Sequence, residues 1–321
     1  MVLTITVKKI LITGGAGNIG SALAAHFLKQ KKWLITVVDN LSTGDLSKLE
    51  IGNPNLRFVK ADVNIRPEIT DIMLADRFNY VFHYAAVVGV KRTQDNPIKV
   101  LNDIEGIKNL LHLSKNTGVE RFFYSSSSEV YGEPVTIPQN EDTTPLNSRV
   151  PYAVVKNVGE AYCKSFQREY GLNFTVFRFF NTYGPMQTVD FVISRFLVLA
   201  LRNEDLTIYG DGMQSRTFCY IDDNIEATSS ALERDLFVND VVNIGGDEVV
   251  TILDLARKVI EITGAKSKIV FLPPLPEGDM TRRQPDNSKM LSILKRPLLG
   301  LDEGIRLTMS DPHFIQQVKN G

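Results

Sequence analysis

The amino-acid sequence predicts an α/β protein: a doubly wound parallel sheet followed by a smaller C-terminal α/β lobe. Three observations carry that prediction. The segment Lys9–Gly20, KILITGGAGNIG, reads as a strand, a glycine turn and a helix start. A second apolar run, Trp33–Asn40 (WLITVVDN), ends in an acid, Asp39, about twenty residues beyond the last glycine of that turn. Strand-like apolar runs then alternate with stretches of helical period as far as Asn181. The 321 residues suit two compact units, read here as 1–182, with strands returning from about 218–245, and 183–321.

Ile10, Leu11 and Ile12 form the first strand, and Gly14, Gly15, Gly17 and Gly20 punctuate the turn after Thr13. Ile19, Leu23, Ala24 and Phe27 recur at helical spacing. Glycine lets the backbone take positive φ and approach a pyrophosphate closely. The helix that follows aims its free N–H groups and positive dipole end at an anion, and Asn18 and Ile19 are read with the glycines as cofactor-binding residues. The spacing is G-x-x-G-x-x-G, and the plain alternative is a tight turn packing helix on strand. Asp39 favours the ligand: an acid at the end of the second strand accepts hydrogen bonds from adenosine ribose hydroxyls and repels a 2′-phosphate, so the reading is NAD rather than NADP. Its alternative is an Asp that caps the turn DNLSTG, in which Asn40 is next in line.

Asn55–Val59 reads as a third strand running into Asp62 and Val63, which either flank an adenine ring or end the strand in a turn. Tyr80–Ala86, YVFHYAA, is a fourth strand, and the small Ala85 and Ala86 at its end allow a ring or ribose close to the backbone. His83 inside that run is read as packing. Asp95–Thr117 is a helix with Ile98, Leu101, Ile104, Ile107, Leu110 and Leu111 on its apolar face. Arg121–Ser126 is a fifth strand, 134–151 a loop, Tyr152–Tyr170 a helix and Asn173–Asn181 a strand. Beyond Gly184 the expectation is a helix at Phe191–Leu201, short strands at LTIY, Phe218–Ile221 and Val241–Ile244, a helix at Thr251–Thr263, a strand KIVFL and a proline-rich loop, PPLPEGDMTRRQP.

Formal net charge is −1, so nothing points to nucleic acid or an anionic membrane. No apolar run reaches the length of a membrane span. MVLTITVKKI lacks the layout of a signal peptide, and the expectation is a cytoplasmic protein. Cys163 and Cys219 make neither a metal spacing nor a disulfide framework.

Tyr152 and Lys156 form Y-x-x-x-K, which places both side chains on one helix face. A nearby ammonium and an oxidised nicotinamide both favour phenolate, lowering the phenol from its ordinary value of about 10 and making Tyr152 a usable general base. Ser125–Ser128 closes the preceding strand, and a serine there can bond a substrate oxygen and relay its proton. Taken alone Y-x-x-x-K is a common surface pair; a nucleotide turn, a strand-end serine cluster and Y-x-x-x-K in this order are far more specific.

At this point the chain resembles the extended short-chain dehydrogenase/reductase family, in particular its nucleotide-sugar epimerases, dehydratases and decarboxylases. The resemblance covers nearly the whole length and rests on TGGAGNIG, DNLSTG, SSSSEVYG, YAVVK, RFFNTYGP, YGDGMQSRTFCYIDD and TRRQPD. It implies a Rossmann-type sheet and a tightly held NAD reduced and reoxidised within one cycle. It also implies roles for single residues: Ser127 as the catalytic Ser/Thr, Tyr152 as the base and Lys156 as ligand of the nicotinamide ribose. Asn181, Arg216 and Arg283 match contacts to the substrate diphosphate, in keeping with the bidentate fit of guanidinium to phosphate.

The shared reaction is oxidation at the sugar C4 to a 4-keto sugar, which is then epimerised, decarboxylated or dehydrated. Ser127-Ser128-Glu129 lacks the Asp of common dehydratases. Ser128, Glu129 and Arg283 look like UDP-glucuronate decarboxylases, whereas the compact loop from Glu133 to Tyr152 looks like epimerases. Gly184-Pro185-Met186 replaces the usual GPR and removes a cation that some relatives place near the substrate. The sequence therefore leans to a UDP-sugar 4-epimerase, with the decarboxylase close behind. An NAD-binding sensor on the same fold predicts loss of the tyrosine or lysine, and both are present. Relatives pair as homodimers through the helices placed here at Asp95–Thr117 and Tyr152–Tyr170.

Overall fold

A computed structural model describes residues 7–274 and 280–320. The opening of the N-terminal stretch and the middle of the proline-rich loop read from the sequence lie outside the described residues. The first half runs β1 (Lys8–Thr13), α1 (Asn18–Lys29), β2 (Trp33–Asp39), β3 (Leu56–Lys60), α2 (Arg66–Asp76), β4 (Tyr80–His83), α3 (Val90–Asp95), α4 (Pro97–Leu101), α5 (Asp103–Thr117), β5 (Arg121–Ser127), α6 (Pro151–Tyr170) and β6 (Asn173–Phe179). The second half runs β7 (Thr182–Tyr183), α7 (Val192–Leu201), β8 (Leu206–Tyr209), β9 (Ser215–Thr217), β10 (Cys219–Tyr220), α8 (Ile221–Glu233), β11 (Asp240–Ile244), β12 (Val249–Thr251), α9 (Ile252–Thr263), β13 (Ile269–Leu272), α10 (Ser288–Leu294), α11 (Leu301–Ser310) and α12 (Pro312–Asn320).

Seven strands form one parallel sheet in the order β11-β6-β5-β4-β1-β2-β3. The order reverses between β1 and β4. Strands of such a sheet are covered on both faces, which is why β1 and β5 are almost continuously buried. One apolar cluster centres on Ile10, Ile12, Phe82, Phe123 and Phe177. The other face is packed by Leu11, Val81, Phe122, Tyr124 and Val176 with the helices α2, α5 and α6. In the lobe β13 pairs in parallel with β8, and β12 antiparallel with β9.

The predicted helix Asp95–Thr117 is two helices, α4 and α5, broken at Asn102, and Asp95 is instead the last residue of α3. Proline at the head of α4 lacks the N–H that would continue α3. In consequence Ile98, assigned to the apolar face, is 69% exposed, whereas Ile107, Leu110 and Leu111 are buried as expected. The strand expected at Phe218–Ile221 is only Cys219–Tyr220, because Ile221 already opens α8 with Asp222 and Asp223 in its first turn. The sequence reading lacks the helices α2, α3, α8 and α10 to α12. Helix α2 is weakly amphipathic, with Ile69, Ile72 and Met73 its only buried residues, so its period is faint in the sequence. Both cysteines are buried and free. His83 is buried; its Nδ1 lies 2.8 Å from Thr13 Oγ1, and burial lowers its pKa to about 3, which suits a neutral packing residue. Among the described residues no helix is long and apolar enough to cross a membrane.

Candidate active site

A cleft of about 1030 Å³ opens where the strand order reverses, and runs from the glycine turn past the ends of β4 and β5 to the start of α7. Open α/β sheets hold ligands at this switch point. Gly14 sits at φ +67°, and a Cβ there would stand 2.6 Å from the Ala85 nitrogen, so the turn lies flat against the end of β4. Gly14, Gly17, Asn18, Ile19, Gly20, Ala85 and Ala86 all line the cleft.

Asp39 is buried, and its carboxylate accepts from Ala16 N (3.0 Å) and Leu41 N (2.8 Å). A carboxylate has about four acceptor sites, so two remain for ribose hydroxyls. The turn-capping role and the ligand role are therefore compatible in one side chain. Asn40, Asp62 and Val63 complete the wall. Asp62 accepts from Asn64 N (2.9 Å) and Asn40 Nδ2 (3.0 Å), so it does hold a strand-end turn while facing the cleft. The buried amide oxygen of Asn18 has no protein partner. An uncapped helix start, a cradle that a side chain would fill, and spare acceptors on Asp39 together fit an adenine dinucleotide.

At the other end β5 delivers Ser125–Ser128 and α6 delivers Tyr152 and Lys156. Pro151 at the head of α6, where a missing N–H is harmless, brings Tyr152 into the first turn at the cleft wall. Lys156 is buried, and its Nζ donates to Ser125 O (2.7 Å) and Ser125 Oγ (3.3 Å). Burial lowers its pKa to about 8, against a smaller upward pull from Asp103. Ser127 Oγ accepts from Glu129 N at 3.2 Å. Arg283 Nη1 donates to Glu129 Oε1 at 3.4 Å; the two side chains are 8% and 17% exposed.

Burial dominates the electrostatics of Tyr152 in the chain without a cofactor. In the chain alone its phenol is pushed up, first by burial and then by the Glu129 carboxylate, while the Ser127 hydroxyl and Arg283 pull it down. The Lys156 ammonium bonds Ser125 and stands 5.7 Å from the centre of the Tyr152 ring, near the phenol as Y-x-x-x-K places it.

Asn181 adopts φ +38° just past β6, and its Nδ2 donates to Thr217 O (2.8 Å), tying the cleft floor to the lobe. Ser128, Asn181 and Arg283 line the cleft; Arg216, buried on β9, is not among the lining residues. Sequence reasoning missed Asp103 and the pair Arg92–Asp190. Asp103 accepts from Val87 N (2.7 Å) and so anchors the loop after β4. Arg92 Nη2 donates to Asp190 at 2.7 Å, joining α3 to the loop before α7. An acid opening a helix, as Asp103 does, is a common feature, and the Arg92–Asp190 pair spans 98 residues, so none of the three carried a distinctive signal.

The model of the NAD dependent epimerase/dehydratase family matches residues 10–245, from β1 through β11. The chain belongs to that family. It is 35% identical over 312 residues to UDP-glucuronic acid decarboxylase 1 of Danio rerio, covering 94% of this chain and 72% of that protein. Among solved structures it is similar to the UDP-glucose 4-epimerase of Thermotoga maritima, with 33% identity, TM-score 0.88 and coverage of 97% and 100% of the two chains. The UDP-glucuronic acid 4-epimerase of Bacillus cereus, solved with UDP-glucuronic acid and NAD, gives 31%, TM-score 0.86 and coverage of 97% and 99%. Members of the epimerase/dehydratase family depend on NAD, and the cofactor of this chain is NAD.

Proposed function

We propose that this chain oxidises C4 of a nucleotide-diphosphate sugar, and that it is a UDP-sugar 4-epimerase. The observation that carries the reading is the meeting of Ser127, Tyr152 and Lys156 in one cleft with the glycine turn and Asp39. When bound, NAD supplies a reversible hydride acceptor. Gly14, Gly17, Asn18, Gly20, Asp39, Asn40, Asp62, Val63, Ala85, Ala86 and Lys156 hold it. Tyr152 takes the C4 hydroxyl proton and Ser127 bonds the same oxygen, so the developing ketone stays fixed. The positive charge that oxidised NAD would carry would oppose the upward push of Glu129 on Tyr152. In the epimerase the 4-keto sugar turns about its diphosphate so that C4 takes hydride back on its other face, and Tyr152 gives the proton back to the C4 oxygen. Ser128, Asn181 and Arg283, which line the cleft, are assigned to the substrate; Arg216, buried behind the lining, is assigned to it only on the resemblance.

The choice of a neutral hexose rests on charge. Both arginines lining the cleft already face carboxylates, Arg92 with Asp190 and Arg283 with Glu129. A uronate carboxylate bound by either arginine would compete with that partner. The decarboxylase is the second reading, favoured by the Glu129–Arg283 pair itself and by the likeness to UDP-glucuronic acid decarboxylase 1. In that case the 4-ketone makes the C5 carboxylate a β-keto acid that loses CO₂. Incubation with UDP-glucose, UDP-N-acetylglucosamine and UDP-glucuronate separately, read by NMR, separates them. A C4-inverted hexose supports the epimerase, and a pentose from the uronate sinks it. Residues 183–321, with Arg283, are assigned to the nucleotide sugar. A homodimer through α5 and α6 is also proposed. Its support is a groove of about 330 Å³ on those helices, lined by His112, Tyr162, Phe166 and Tyr170. Sedimentation at micromolar concentration showing monomer alone would reject it.

A further inference from the structure

A buried polar network that the proposed chemistry leaves idle lies directly behind it. Glu160 and Arg178 form an ion pair whose side chains are 1% and 2% exposed. Arg178 Nε donates to Glu160 Oε1 at 2.9 Å and Nη2 to Oε2 at 2.7 Å, a bidentate clasp. Ser126 Oγ donates to the same Oε1 at 2.6 Å. Ser126 and Arg178 are register partners on β5 and β6, so one carboxylate clamps both strands.

That carboxylate belongs to the catalytic helix. Tyr152, Lys156 and Glu160 are spaced four apart on α6 and share one face. At a rise of about 1.5 Å per residue, Glu160 stands ~12 Å along the axis from Tyr152. Gly159 lets the helix press on β5 so closely that a Cβ there would collide with the Tyr124 hydroxyl. Beyond Arg178 the bonds continue. Its Nη1 donates to Tyr131 OH (2.8 Å), and Tyr131 OH donates to Asn243 Oδ1 (2.8 Å). Asn243 Nδ2 donates to Gln139 O (2.8 Å), and Gln139 N to the carbonyl of Gln284, the neighbour of Arg283 (2.7 Å).

Well-packed apolar residues often replace a buried ion pair with no loss of stability. The use of this pair is then geometric. We propose that Glu160 and Arg178 are positioning residues: they set the height of Tyr152 on its helix against Ser127 on its strand, and through Tyr131 and Asn243 they fix the Arg283 segment. The proposal rests on the C4 chemistry assigned above.

The test is Glu160→Met/Arg178→Met, which removes both charges together and leaves neither buried alone. The expected result is a melting midpoint at or above wild type, KM and NAD content within about twofold, and kcat lower by about tenfold or more. Glu160→Gln keeps the shape and one acceptor, and gives a smaller fall in kcat at unchanged KM. Amide exchange at Ser125–Ser127 and Lys156 rises in both variants while β1 stays protected. Wild-type kcat with unchanged exchange in either folded variant overturns the proposal, as does a loss of kcat that only follows the folded fraction. Exchange is read without turnover. Wild-type protein inert toward every UDP-sugar therefore removes the reaction assigned above, while the exchange result still decides the positioning.

Discussion

The two ends of the cleft are made differently. The cofactor end is backbone and small residues: Gly14 against Ala85, a helix start, and Asp39 held by two main-chain N–H groups. The end proposed for the sugar is side chains in opposition: Tyr152 pushed up by burial and Glu129, Lys156 pushed down to about 8, and Arg283 facing Glu129. Shape governs the first end and charge the second. Mutations at the first should therefore act on NAD retention at any pH, and mutations at the second should act through protons.

The sharpest way to break that contrast is Gly14→Val. A β-branched residue cannot hold φ +67°, and its Cβ would meet Ala85 at 2.6 Å. The protein is expected to be isolated without NAD, as judged by nucleotide released on denaturation; wild-type NAD content would show that shape does not govern this end. Tyr152→Phe is the counterpart, with turnover down by about 10²–10⁴-fold and NAD content unchanged, by product NMR and nucleotide release. A third test separates charge from shape within the sugar end. Glu129→Gln removes an upward push on the phenol, so the acidic limb of the pH–rate profile should move to lower pH; a limb that stays put or rises refutes the assignment of Tyr152.

The smallest effect is on stability. Lys156 has a folded pKa of about 8 against 10.5 in the unfolded chain, so between those values the unfolded state binds more protons. The contribution of Lys156 to the stability of the NAD-free protein should therefore rise from about pH 8 to 9.5, while Cys163 and Cys219, whose buried thiols stay protonated as their unfolded counterparts ionise, pull the other way. Lys156→Met should flatten that rise and, at pH 7, stabilise the protein by up to about 3 kcal/mol, measured by urea unfolding, although lost bonds to Ser125 subtract from the gain.

How far the sequence could be read follows the same division. The Rossmann-type sheet was legible because β1, β2, β4 and β5 are short apolar runs with punctuation, and the cofactor end because Gly14 to Gly20 and Asp39 are local patterns. Helix α2 escaped because only three of its residues are buried, and the break at Asn102 because Ile98 and Leu101 keep the apolar period while facing outward. The pairing of Glu129 with Arg283 crosses 154 residues, and Y-x-x-x-K says nothing of the burial that outweighs it. Patterns within one element survive in a linear text; contacts that depend on the whole chain closing do not.

One topological detail has a practical consequence. The outermost strand, Asp240–Ile244, comes back from the far lobe to lie beside Asn173–Phe179. Severing the polypeptide near Gly184 would leave the latter with an open row of amides and carbonyls, a template for sticking to other copies. The nucleotide fragment on its own should thus precipitate, and anyone wishing to graft or exchange the sugar-recognising portion must carry the returning thread along with the piece that sends it out.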